Sequence, residues 1–174
     1  AYTSAIADKQ RVNMGDTTTV TFSTKNVTTK VKKVEYSFLY PNKYLDVVSV
    51  KPYGTYKGYL DVTSTSTPFN STYTKMTITA TTLGDLATTG ITGDTSLVDL
   101  TFKTKDVYYK GPMTFDDPTG TSRFFSAVYT NVDDSKVSTQ GIQPYFYITP
   151  TYSLMRSAVQ AEGLASGIDN AGNI

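Results

Sequence analysis

The chain has 174 residues, enough for one domain with a full core, and its 18% of charged residues balance to a formal net charge of +1. That balance supplies no electrostatic attraction for nucleic acid or another polyanion, and the absence of Cys and His removes thiol nucleophiles, disulfides, imidazole acid–base chemistry and the usual zinc ligands. The 31 Thr and 14 Tyr favour strands, and no apolar run approaches the roughly 18 residues that cross a membrane.

Ala1 to Lys9 lacks the charged-then-apolar plan of a signal peptide, so if the protein is exported its signal lies outside this sequence. Gly15-Asp16 marks a turn into a strand over Thr17 to Thr24, with Val20 and Phe22 inward. Alternation with a period of two then puts Val34, Tyr36, Phe38 and Tyr40 on one face and Lys33, Glu35, Ser37 and Leu39 on the other. After a Pro41-Asn42 turn, Leu45 to Val50 reads as a strand, Tyr53 to Tyr59 as a mobile Gly-bearing loop, and Asp61 to Thr74 as polar loop. Met76, Ile78 and Ala80 point inward against Lys75, Thr77, Thr79 and Thr81. Beyond a Gly93-Asp94 turn, Val98, Leu100 and Phe102 oppose Asp99, Thr101 and Lys103 in the same way. Gly111-Pro112 and Asp117-Pro118-Thr119-Gly120 are further turns, and Phe124 to Val128 and Ile142 to Ile148 complete the strands.

Eight or nine short strands without a convincing helix between them predict an all-β fold, an antiparallel two-sheet β-sandwich of jelly-roll type, because two half-apolar sheets hide their inner faces against each other. The texture changes after Pro150, where Ser153 caps a short helical pattern through Leu154, Met155, Ala158 and Val159. The predicted organisation is a sandwich over 1–152 and a C-terminal helix or linker over 153–174.

Met14-Gly15-Asp16-Thr17-Thr18-Thr19-Val20, followed by Phe38-Leu39-Tyr40-Pro41-Asn42-Lys43-Tyr44-Leu45-Asp46-Val47-Val48, resembles the opening of the cohesin family of cellulosome and bacterial surface modules. Leu97-Val98-Asp99-Leu100-Thr101-Phe102-Lys103-Thr104-Lys105 and Met113-Thr114-Phe115-Asp116 are similar to later segments of the same family, so the likeness runs in order from about Asp8 to Thr149. The chain departs from the family pattern at Tyr40-Pro41-Asn42 and in the long Tyr-rich loop from Pro52 to Tyr59.

The resemblance implies a cohesin-like sandwich that works without catalysis, outside the cell or on its surface, by docking a dockerin-bearing protein as in scaffoldin assembly. Calcium is then expected on the partner, with no cofactor or metal on this chain. The implied binding strand carries Lys33, Glu35, Ser37 and Leu39, with Leu39 as apolar anchor; Thr77, Thr79 and Thr81, with Asp99, Thr101 and Lys103 beside them, are expected to extend the platform. Exposed Thr and Lys also populate any solvent-facing strand, so the platform rests on the family likeness.

Three other chemistries compete. Tyr53, Tyr56 and Tyr59 form an alternative carbohydrate-binding site in which rings stack on a polysaccharide, although Trp is absent. A structural adhesin or surface-layer domain, stapled by a Lys–Asn isopeptide, is a third reading against which the nearly Lys-free inner faces weigh. Asp116-Asp117 and Asp133-Asp134 are the paired carboxylates a glycosidase requires, but neighbours on a strand face opposite ways. Asp169 to Asn173 is too short for a calcium loop, and Asn26-Val27-Thr28 and Asn70-Ser71-Thr72 fit the glycosylation acceptor pattern, as expected by chance in so Thr-rich a chain.

Overall fold

The alternating apolar residues of the chain sort into ten strands in a computed structural model that describes residues 1–116 and 125–150. They are β1 (Tyr2–Ala7), β2 (Arg11–Asn13), β3 (Thr17–Tyr40), β4 (Leu45–Pro52), β5 (Leu60–Pro68), β6 (Thr74–Thr82), β7 (Ile91–Thr104), β8 (Phe125–Asn131), β9 (Lys136–Ile142) and β10 (Tyr147–Thr149). One helical turn, α1 (Leu86–Thr89), lies between β6 and β7. The predicted turn at Asp117 to Gly120 and the appendage over 153–174 lie outside the described residues.

β3 organises the fold. The two segments predicted as separate strands are one 24-residue strand whose first half pairs with β1 and β7 and whose second half pairs with β6 and β8. It changes layers where its register with β7 slips, between Thr24 and Val31; Asn26 there has φ +54°, a conformation Asn tolerates, and its N–H donates to Asp94 Oδ1 at 2.8 Å. Gly93, read as a turn, sits inside β7 opposite Val27 in this irregular stretch, with φ +74°. One layer therefore runs β5-β6-β3-β8-β9 and the other β4-β7-β3-β1, with β1 closing the seam by pairing in parallel with β9 at Thr3 and Ser4.

The inner faces meet in a single apolar core. Phe22, from the first half of β3, touches Tyr36 and Phe38 from the second half, at ring-centroid distances of 5.0 and 5.3 Å. Phe38 stacks on Phe115 at 4.2 Å, and Phe125 meets Phe22 edge-on at 5.8 Å. These rings are almost wholly buried, and each contributes about 1.5–3 kcal/mol of apolar transfer free energy. The short parallel pair β2–β10, with Val12 opposite Ile148, and the Met113–Phe146 bridge add buried residues to the same core.

The fold is the predicted all-β sandwich, and two of the strands missing from the sequence reading, β5 and β9, share a cause. β5, read as polar loop, has the sequence Leu-Asp-Val-Thr-Ser-Thr-Ser-Thr-Pro and pairs along its whole length with β6. It is an edge strand exposed on both faces beyond Val62, so it shows no apolar alternation. β9 is similarly polar and is held by backbone pairing to β8. Tyr108 and Tyr109 lie outside the strands and are exposed.

Candidate partner-docking face

Directly paired residues on antiparallel strands share a face, so register alone composes the outer surface of the five-stranded layer. One row across it is Thr63, Thr79, Glu35, Val128 and Ser138; the next is Thr65, Thr77, Ser37, Ser126 and Gln140. At the far end Asp61, Thr81, Lys33, Thr130 and Lys136 form a third row. The surface is a field of hydroxyls with isolated charges and one central apolar side chain. Ser37 Oγ and Thr77 Oγ1 lie 3.1 Å apart, and Lys33 Nζ approaches Glu35 Oε1 at 4.0 Å, with both side chains one-third exposed.

Lys33, Glu35, Ser37, Thr77, Thr79 and Thr81 are thus brought together as expected. Two expectations fail. Leu39 is 0% exposed although alternation places it on the outer side, and it lies outside the main apolar core. That end of the face is covered, so Leu39 is a packed residue and cannot be the anchor. Asp99, Thr101 and Lys103 do not extend the platform, because β7 pairs with Thr21, Thr19 and Thr17 of the first half of β3 and with β4, not with β6. The contact of Phe22 with Phe38 across the core makes these two halves of β3 face one another, so their outer residues point to opposite sides of the sandwich. On that second surface Thr21 donates to Asp99 Oδ1 at 2.7 Å, and Thr19 and Thr101 hydroxyls lie 2.9 Å apart.

Val128 was missed by sequence reasoning, and its signal was present: it stands between buried Ala127 and Tyr129 and is itself half-buried on the outer face next to Glu35. It replaces Leu39 as the apolar centre.

Immediately behind the face, Tyr36 and Tyr129 are buried phenols. Burial pushes Tyr36 well above its ordinary pKa, with the neighbouring Tyr129 adding to the effect. Tyr129 is also raised by burial, and its hydroxyl lies 2.7 Å from Thr3 Oγ1 and donates to Tyr2 O at 2.8 Å.

The alternative tyrosine site is only partly formed. Tyr53 and Tyr59 are 46% and 59% exposed, whereas Tyr56 turns inward and packs against the core. The loop expected to be mobile is docked on β7: Tyr53 N donates to Leu97 O at 2.9 Å, and Gly54, with φ +92°, lies so close that a Cβ would stand 2.3 Å from Ser96 O. A second aromatic cluster, unanticipated, stacks Tyr44 on Tyr109 at 5.2 Å beside a cavity of about 370 Å³, with Lys43 Nζ 5.7 Å from the centre of the Tyr44 ring.

Asp117 lies outside the described residues, and the other three acidic candidates have structural partners. Asp116 accepts from Gln143 Nε2 at 2.8 Å, Asp134 pairs with Lys32, and Asp133 accepts from Ser135 N–H and hydroxyl, which hold its carboxyl below the usual range. Among the described residues no three Asp or Glu side chains converge on a metal position, no Lys is buried in the core, and no helix is long and apolar enough to cross a membrane.

No protein-family model and no curated protein matches the sequence. Solved structures do. A non-cellulosomal cohesin from the hyperthermophilic archaeon Archaeoglobus fulgidus matches with a TM-score of 0.58 at 18% identity, over 90% of this chain and 98% of that one. The chain has the cohesin fold. The cohesin module of a Clostridium perfringens family 33 glycoside hydrolase gives a TM-score of 0.62 at 14% identity, over 86% of this chain and 98% of that one. A type I cohesin–dockerin complex from Clostridium thermocellum gives 0.58 at 12% identity, over 86% of this chain and 100% of the matched one. In this cohesin fold the two outer surfaces are unlike: one is the broad hydroxyl field on β5-β6-β3-β8-β9, and the other is the Thr and Asp ladder on β7 and the first half of β3.

Proposed function

We propose that this chain is a non-catalytic, extracellular protein-binding module that docks a calcium-loaded dockerin-type partner on the outer face of the β5-β6-β3-β8-β9 sheet. The observation that carries the reading is the in-register field around Glu35, Ser37, Thr77 and Thr79 with Val128 at its centre. Hydroxyls both donate and accept, so such a field can meet the polar side chains and exposed backbone groups of a helical partner, while a central half-buried apolar residue supplies a desolvated contact. Cohesins of the same fold have been solved in complex with dockerins, which supports this partner class. The calcium belongs to the partner, whose helices it holds in place, so chelation removes binding without unfolding this chain.

The experiment is a calorimetric screen of dockerins against the wild type, Thr77→Arg and Thr101→Arg. Both threonines are half-exposed strand residues in matched hydroxyl pairs on opposite faces, so the two variants carry equal charge and bulk. Thr77→Arg should weaken binding by about 2 kcal/mol or more and Thr101→Arg by little. The reverse pattern moves the interface to the β7 surface. Retention on an insoluble polysaccharide that disappears on replacing Tyr53 and Tyr59, with no dockerin bound, replaces the reading by carbohydrate binding.

A further inference from the structure

The third row of the docking face borders a hollow of about 440 Å³ whose lining includes Lys32, Lys33, Thr81, Thr130, Asp134 and Lys136, with Ala87 beside them. Register sets Thr130 directly between Lys33 and Lys136, and Lys32 is the extra residue of a bulge between the Val31–Asn131 and Lys33–Thr130 pairs. Thr130 is only 5% exposed, yet its hydroxyl has no hydrogen-bond partner among the described residues, in contrast to the paired hydroxyls of Ser37 and Thr77 on the same surface. A buried donor left unpaired is costly, so the site lacks an acceptor.

The charges say what kind of acceptor. Three lysines line the hollow against one acidic residue, Asp134, whose carboxylate is already engaged by Lys32. Lys33 reaches Glu35 only at 4.0 Å, and Lys136 has no ion pair among the described residues. We infer that this hollow is a carboxylate site that receives an acidic side chain of the docked partner, an inference that rests on the docking reading for its occupant. One carboxylate oxygen accepts from the Thr130 hydroxyl while the other bridges Lys33 and Lys136; a carboxylate offers the lone pairs for all three donors. The flexible lysine stems flanking Thr130 reorient by rotamer changes to admit it.

The test begins on the free chain, labelled for NMR and titrated with sodium acetate and, at matched ionic strength, sodium chloride. Acetate should give saturable shifts at Thr130, Lys33 and Lys136 that chloride does not. These shifts should vanish in Thr130→Val and in the double variant Lys33→Ala/Lys136→Ala. Thr130→Val must also leave the free domain at least as stable as the wild type, since it removes an unpaired hydroxyl, so lost binding cannot be ascribed to lost folding. Acetate shifts equal to those of chloride, or persisting in Thr130→Val and the double variant, overturn the inference. With a dockerin that binds the wild type, the double variant should bind about tenfold more weakly. Equal affinity would overturn the inference and leave docking standing, whereas specific acetate binding with no dockerin bound would leave the carboxylate site and overturn its assigned occupant.

Discussion

Replacing Tyr36 with Phe should stabilise the protein. The Tyr36 ring packs 5.0 Å from Phe22 at 0% exposure, and its hydroxyl has no hydrogen-bond partner among the described residues. An unpaired buried hydroxyl carries a desolvation cost of about 1–3 kcal/mol, which the substitution removes. The space vacated by one oxygen, roughly 10–15 Å³ at about 24 cal/mol per Å³, returns only about 0.3 kcal/mol of that gain. The expected net effect is a gain of about 1 kcal/mol, or about 2–4 °C in Tm for a chain of this length. Tyr129→Phe is the control, because its hydroxyl is bonded to Thr3 Oγ1 and Tyr2 O; removing it leaves the fully buried Thr3 hydroxyl short of a partner and should cost about 1–3 kcal/mol. Urea unfolding at constant m reads both. The alkaline limb gives a second reading, since the folded-state pKa of Tyr36 lies well above its unfolded value near 10. Its contribution is present in full below about pH 10 and is lost as pH rises toward the folded pKa, because only the unfolded chain ionises there. Tyr36→Phe should flatten that decline. Destabilisation of Tyr36→Phe comparable to that of Tyr129→Phe would refute the reasoning and reveal an acceptor for Tyr36, such as a buried water.

Leu39→Ala should lower stability by about 2–5 kcal/mol in the same urea assay, as expected for truncating a fully buried Leu; unchanged stability would return Leu39 to the accessible face. Gly54→Ala should cost at least about 1 kcal/mol in thermal unfolding, because φ is +92° and the added methyl would meet Ser96 O at 2.3 Å. A neutral result would show that the tyrosine loop is not clamped on β7.

Side-chain direction was legible wherever one face of a strand is apolar. Val34, Tyr36, Phe38, Met76, Ile78, Ala80, Val98, Leu100 and Phe102 are all buried as alternation requires, because a period of two is a property of the local chain. Lys33, Glu35, Ser37, Thr77, Thr79 and Thr81 followed on the opposite side for the same reason. β5 and β9 were not legible, since polar strands held by backbone pairing carry no apolar stripe. Nor could alternation assign partners: Asp99, Thr101 and Lys103 point outward as read, but the long β3 crosses between layers and carries β7 to the other sheet. Leu39 was lost to burial of an outer face, and Tyr56 to the docking of its loop on the core. The position of Thr130 between Lys33 and Lys136 joins residues about a hundred apart in the chain and exists only once β3, β8 and β9 are in register. The sequence determined which side of each strand is apolar, whereas the tertiary structure decided which strands share a surface and which parts of it remain open, because pairing and coverage depend on long-range contacts that no local pattern encodes.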